Sequence, residues 1–479
     1  MKTLFLLTTT LWDAAFKITL ELIHSHIKNG DEIHIVTCGG ELHFCLANNE
    51  HSKIKCSACR LRFKKTMQLL KIPNKNITYI KPTTKNIKLP QINDIDELKN
   101  LDILNLKIGP SLASCMISKT RNHKPNIYSE RNLITQIAKA SVSCYETTTK
   151  ELTKQKYDRF YIFNGRYATE NAAIKSAEKL NAGYYTYEFG QNLSTYVLFK
   201  NTIPHDLNRN KKNLKEFWDS GLENKVTIST NWFHDYRNSK PESGEKPSFL
   251  YTTYQTKNFL PKEVLKNKNC IAIFNSSLDE YESMPGWDNL LFKEEYDAIH
   301  FIVTSCTNKM FVLRIHPNLS NLKNEQIKQL KKLEEQNFSN LLIIWPKEKI
   351  DSYALMDACE KVITLGSTIG VEACFWGKVS ILLGRSFYED LDCCYKPKNK
   401  KEIITLINSN LKPHNPENSL PYAYWRNRYG HNFEHLRTSS LSDYKMKTKY
   451  NFKEKIQLKF LDLALKFTEK NPSKQNAKN

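Results

Sequence analysis

The chain has 479 residues, 40% of them apolar and 11% aromatic. That size and composition suit a globular protein of two or more domains and exclude disordered and collagen-like chains. The net charge of +21 calls for a polyanionic partner to be considered. Its lysines are interleaved with asparagines, as in NKNITYIKPTTKNIK, and no arginine-rich block, RNP motif, zinc-finger histidine pair or bZIP pattern occurs. Nucleic-acid binding is therefore disfavoured.

The N-terminal MKTLFLLTTTLWDAAFK has an apolar run only from Leu4 to Leu7, too short for a secretory leader, and reads as a buried first strand. Asp13 follows it and opens a helical pattern that ends at Asn29-Gly30, a C-cap signal. EIHIVTC is the second strand, so the chain opens as a βαβ unit. Directly after it come Cys38, Cys45, Cys56 and Cys59, spaced C-x6-C-x10-C-x2-C in a cysteine-rich loop at 38–62. FYIFNG is a further strand, followed by a helix and then by GYYTYEFG. The polar stretch at 236–248, rich in Pro, Gly and Ser, reads as a linker or exposed loop.

The second half alternates cleanly. CIAIFNSS, MFVLRIHP, LLIIWP, KVITLG and VSILLG are short apolar runs separated by helical patterns, the signature of a parallel sheet covered on both faces. NFKEKIQLKFLDLALKF reads as an amphipathic helix. The expected architecture is α/β: an N-terminal domain at 1–235, the linker, a C-terminal domain at 249–445, a terminal helix at 446–470 and a disordered tail at 471–479. No stretch reaches the roughly 20 apolar residues that span a bilayer. The expectation is a cytoplasmic protein whose twelve cysteines are mostly reduced thiols or metal ligands.

Ligands of open α/β sheets bind beyond the carboxyl ends of the strands, so the residues there are the candidates. Arg314, His316 and Asn318 end one strand in RIHPN, where a histidine can donate to a phosphate oxygen. Gly366 lets the next candidate strand turn tightly, and Ser367 or Thr368 caps the following helix, which makes an anion site. Glu372 lies within reach of a ribose diol, and Arg385 follows the next strand. Ser276 and Ser277 end the domain's first strand. In the N-terminal half Asn164 and Arg166 follow a strand on the acceptor side. Asp13 and Glu188 are candidates for a general base, though each also reads as a helix cap or loop acid. No Walker A, GxGxxG or nucleophile elbow is present, which argues against ATPases, dehydrogenases and α/β-hydrolases.

RIHPN, IDSYALMDACEKVITLGSTIGVEACFWGKVSILLGRSFYEDL, FNSSLDEY and FNGR together resemble bacterial capsule and surface-polysaccharide glycosyltransferases. The resemblance covers most of the chain. It implies a GT-B fold, two Rossmann-like domains with a cleft between them and the donor nucleotide on the C-terminal one. The His-Pro and Ser/Thr pairs are also similar to those of GT-B Kdo- and sialyltransferases. Carried over, His316, Ser367 and Thr368 contact the donor phosphate, and Glu372 resembles a ribose-binding glutamate. The sialyltransferase acidic motif has only a partial echo, in LDEY. The implied reaction transfers a sugar from a nucleotide-activated donor, CMP-linked donors included. The acceptor is a glycan or lipid-linked glycan of capsule, O-antigen or another surface polysaccharide. The alternatives are a CDP-glycerol-like polymer phosphotransferase and a non-catalytic nucleic-acid-binding protein on a similar fold. The resemblance implies no catalytic metal. The positive charge fits peripheral contact with the anionic inner membrane leaflet.

The four clustered cysteines suit a structural zinc site, with an iron–sulfur cluster as the lesser alternative and chance clustering as the third. Four thiolates would close the metal shell, so the cluster reads as a staple rather than a centre of chemistry.

Overall fold

The computed structural model describes residues 1–190, 194–238, 255–266, 269–438 and 444–446. The chain divides into two compact units. The first comprises 1–119, 126–204 and the segment from 430 on; the second comprises 120–125 and 205–429.

In the first unit, β1 (Lys2–Leu7), β2 (Glu32–Cys38), β3 (Ile77–Ile80), β4 (Arg159–Phe163) and β5 (Tyr185–Phe189) run parallel in the order β3-β2-β1-β4-β5. β6 (Thr195–Lys200) pairs antiparallel with β5, and His431–Asn432 pairs antiparallel with β6. The sheet is covered on both faces, and the alternation of side chains along β1 shows it. Leu4 and Leu6 enter one core with helices α3 (Gly109–Thr120), α4 (Arg131–Lys154) and α5 (Ala168–Lys179). Phe5 and Leu7 enter the opposite core with α1 (Asp13–Lys28) and α2 (Lys53–Leu69). The cysteine-rich segment is thus only partly a loop, since Cys56 and Cys59 lie on α2. Lysine and arginine at alternate positions of KIKCSACRLRFKK hide its helical period.

In the second unit, β7 (Cys270–Phe274), β8 (Met310–Arg314), β9 (Leu341–Ile344), β10 (Lys361–Thr364) and β11 (Val379–Leu382) form an all-parallel sheet in the order β9-β8-β7-β10-β11. This is the strand order of the first unit's parallel core. Helices α8 (Glu295–Ser305), α9 (Glu325–Glu335) and α12 (Lys400–Asn408) cover one face. The other face is covered by α10 (Ser352–Ala358) and α11 (Ile369–Phe375). Asp351 starts α10 by accepting from the N–H groups of Tyr353 and Ala354 at 2.9 and 3.2 Å. Both units are Rossmann-like, so the α/β class with two Rossmann-like domains expected from the sequence stands.

The domain boundary needs correction. Helices α6 (Leu207–Asp219) and α7 (Lys225–Arg237) belong to the second unit, not the first. Leu214, Trp232 and Phe233 on these helices are buried with Leu382, Tyr388 and Trp425, the last on α13 (Leu420–Arg428). The short segment 120–125 also packs on the second unit: Arg121 Nε meets Asp279 at 2.5 Å and His123 Nε2 meets Glu294 at 3.3 Å. After α13 the chain returns to the first unit, where Glu21 of α1 accepts from the backbone N–H groups of Glu434, His435 and Leu436 at 2.6–2.9 Å. The expected linker lies outside the described residues from 239 on, as do the expected terminal helix from 447 on and the tail. Among the described residues no helix is long and apolar enough to cross a membrane.

Candidate active site

A 3-2-1-4-5 strand order reverses direction between its first and fourth strands, and the carboxyl ends flanking that reversal form the binding crevice of such sheets. In the second unit these are the ends of β7 and β10. β7 runs into Asn275-Ser276-Ser277, and β10 into Gly366-Ser367-Thr368. Gly366 has φ +115°, a left-handed conformation, and a side chain there would meet the Arg385 carbonyl at 2.9 Å.

A buried carboxyl organises these ends. Glu295, the first residue of α8, accepts from Ser276 N–H at 3.0 Å, from Asn275 Nδ2 at 3.3 Å and from Gln326 Nε2 of α9 at 2.8 Å. Tyr281 donates to it at 3.5 Å. Burial pushes the Glu295 carboxyl up to about 8, although these donors favour its charged form. Asn275 Oδ1 then accepts from the N–H of His316 at 2.8 Å, which ties the end of β8 to the end of β7.

His316 is half-buried, and its Nδ1 accepts from Asn318 N–H at 3.2 Å. Burial lowers its pKa to about 4, so the ring is neutral at pH 7. With Nδ1 an acceptor, the single ring proton sits on Nε2. Among the described residues nothing accepts from that Nε2 hydrogen. Ser367 and Thr368 are half-buried at the neighbouring strand end. Tyr388 holds their turn by donating to the Ser367 carbonyl.

Other expected donor contacts are turned to the protein itself. Ser276 and Ser277 are buried, and their hydroxyls donate to Leu365 O at 3.0 Å and Asp279 Oδ1 at 2.6 Å. Their part is to shape the strand end. Arg314 is 2% exposed and donates to the Trp345 carbonyl at 2.8 Å; burial lowers its pKa to about 10. Arg385 forms a two-pronged pair with Glu389, both contacts at 2.9 Å, so its charge is matched within the protein. Glu372 is 1% exposed and accepts from the Tyr353 hydroxyl, which places it in the interior rather than against a ribose. Asn318 is exposed and donates to Glu280 at 2.6 Å.

In the first unit the corresponding strand ends are those of β1 and β4. Asn164 and Gly165, at φ +57° and +83°, turn the chain after β4. Asn164 Nδ2 donates to Glu188 at 2.7 Å, and Arg166 Nη2 donates to the Tyr167 hydroxyl at 2.7 Å. Burial raises the pKa of Glu188. Asp13 instead pairs with Arg62 at 2.5 Å. Glu170, on α5, was not among the candidate bases. It is 5% exposed, its pKa is raised by burial, and it accepts from Thr8 and Thr169 at 2.8 and 2.7 Å. It lines a small pocket with Thr8, Thr9, Trp12 and Tyr167, between the ends of β1 and β4. Its signal was its place in the first turn of the helix after FNGRYA, where the acid also reads as a favourable partner of the helix dipole.

Residues 299–392 match the family model for capsule polysaccharide biosynthesis proteins. That span contains His316, Gly366, Ser367 and Thr368. No curated protein matches the chain. Among solved structures the chain is similar to Thermosulfurimonas dismutans KpsC, a beta Kdo 2,4 transferase, at 14% identity, covering 55% of this chain and 86% of that one with a TM-score of 0.33. It is also similar to Methanocaldococcus jannaschii UDP-GlcNAc 2-epimerase in complex with UDP-GlcNAc and UDP, at 14% identity, covering 88% and 98%, TM-score 0.29. A third is S. aureus MnaA with UDP, at 11% identity, covering 90% and 93%, TM-score 0.29.

Proposed function

We propose that the protein is a glycosyltransferase of capsule or surface-polysaccharide synthesis that takes its sugar from a nucleotide-activated donor. The observation that carries the reading is His316: a neutral ring inside the family-matched span, with an Nε2–H donor to spare at the strand edge that holds Ser367 and Thr368. A donor losing its nucleotide gathers negative charge on the leaving phosphate. The Nε2–H of His316 and the hydroxyls of Ser367 and Thr368 stabilise that charge. A carboxylate of the first unit, Glu188 or Glu170, removes the proton of the acceptor hydroxyl. The net charge of +21 supports a peripheral position at an anionic membrane, where lipid-linked acceptors lie.

Calorimetric titration with CMP, CDP, UDP and GDP tests the donor site. One nucleotide binds, and His316→Ala weakens it about 10- to 100-fold, the worth of a hydrogen bond to a charged group. Absence of binding by all four, or unchanged affinity in His316→Ala, refutes the reading. Co-sedimentation with anionic but not neutral vesicles tests the membrane contact.

A further inference from the structure

Four thiols of the first unit have no part in the donor-site reading. Cys38 closes β2, Cys45 precedes a single turn at Leu46–Asn48, and Cys56 and Cys59 lie one turn apart on α2. All four line one small pocket. Asn48, His51 and Arg60 also line it, and no carboxylate does.

Three of these sulfurs receive a hydrogen-bond donor. Gly40 N–H reaches Cys38 at 3.2 Å, and Asn48 Nδ2 reaches Cys56 at 3.1 Å. Thr10 reaches Cys59 through its N–H at 3.3 Å and its hydroxyl at 3.4 Å. The Asn48 N–H is taken by the Cys45 carbonyl at 2.9 Å. A neutral thiol has little need of such donors, whereas a metal-bound thiolate is habitually ringed by them. Two sulfurs come from a strand end and its loop, and two from adjacent turns of a helix. This is the pairing of two ligand couples that a tetrahedral shell needs.

We propose that Cys38, Cys45, Cys56 and Cys59 bind one zinc ion. Among the described residues no three His, Cys, Asp or Glu side chains already stand as a metal site. Binding therefore draws the sulfurs inward, and ion and loop order one another. Four thiolates leave no open position, so the ion is structural. Its target is the turn after β1. Thr9 and Thr10 contact Cys59, and the adjacent Thr8 holds Glu170 at 2.8 Å.

The test is elemental analysis of full-length protein purified without chelator or added metal. About one zinc per chain is expected, released by an organomercurial together with exposure of four thiols. Cys56→Ser and Cys59→Ser lose the zinc, while Cys306→Ser keeps it. Since the first two variants can fail to fold, the mercurial titration of the wild-type protein decides. Less than a tenth of an equivalent of zinc, with no uptake on reconstitution, overturns the proposal. Iron with acid-labile sulfide in place of zinc overturns it equally. Neither outcome touches the donor-site reading, which nucleotide titration tests separately.

Discussion

Replacing Glu295 by Gln removes the one titrating group on which Ser276, Asn275 and Gln326 converge. The folded carboxyl titrates at about 8, against 4.5 in the unfolded chain. This is an acid with a raised pKa, so between those values the folded state holds a proton that the unfolded state has released. Stability is then greatest below pH 4.5 and is lost as pH rises toward 8. At about 1.4 kcal/mol per pH unit the gap, in which the donors already oppose burial, caps the loss near 5 kcal/mol, and about 3 kcal/mol of it falls between pH 5 and 8. Six of the seven tryptophans lie in the second unit, so tryptophan fluorescence reports its unfolding. Urea unfolding of wild type and Glu295→Gln at pH 5, 6, 7 and 8 gives the comparison. The wild type falls relative to the variant as pH rises. Parallel profiles would refute the reasoning, because they would mean that the donors hold Glu295 ionised throughout and outweigh its burial.

Lys361, 1% exposed, donates to the carbonyls of Ile407 and Ser409 at 2.6 and 2.7 Å. Lys361→Met leaves these carbonyls unpaired at the end of α12, and denaturant unfolding should show a loss of about 2 kcal/mol. Gly366→Ala puts a methyl group 2.9 Å from the Arg385 carbonyl at φ +115°. Nucleotide affinity by calorimetry should drop at least about tenfold, in line with about 1–3 kcal/mol of local strain. For the base, activity must rise with pH through a limb above the ordinary carboxylate range, because burial raises both candidates. Whichever of Glu188→Gln and Glu170→Gln abolishes that limb identifies the base, and survival of the limb in both excludes them.

The strands and helices of the second half were legible because each is short, apolar and bounded by a turn residue. RIHPN and TLGSTIG even marked the correct strand ends. What the sequence hid was three-dimensional in origin. Ser276 and Glu372 look like ligand groups by type and position, yet their partners (Leu365 and Tyr353) lie far along the chain, while Ser277 is taken by Asp279 two residues on. Arg385 has its neutralising Glu389 four residues on, a helical spacing that could have been read. The boundary at 204 was obscured by the more conspicuous polar stretch 30 residues later. What assigns α6 and α7 is the burial of Leu214, Trp232 and Phe233, which no local pattern announces.

The return of residues 430–436 to the first unit bears on how the protein is made. Lys17 is 1% exposed and lies 4.3 Å from the Phe433 ring, while Glu21 takes its backbone donors from Glu434 to Leu436. Both charges sit on α1, yet their cover is synthesised more than 400 residues later. The second unit, nearly contiguous in the chain, is complete before the first. A nascent chain stopped at 429 would carry a finished second unit, an open edge on β6 and two buried-type charges facing water. The last residues of the first unit are therefore added only after every residue of the second has been joined to the chain.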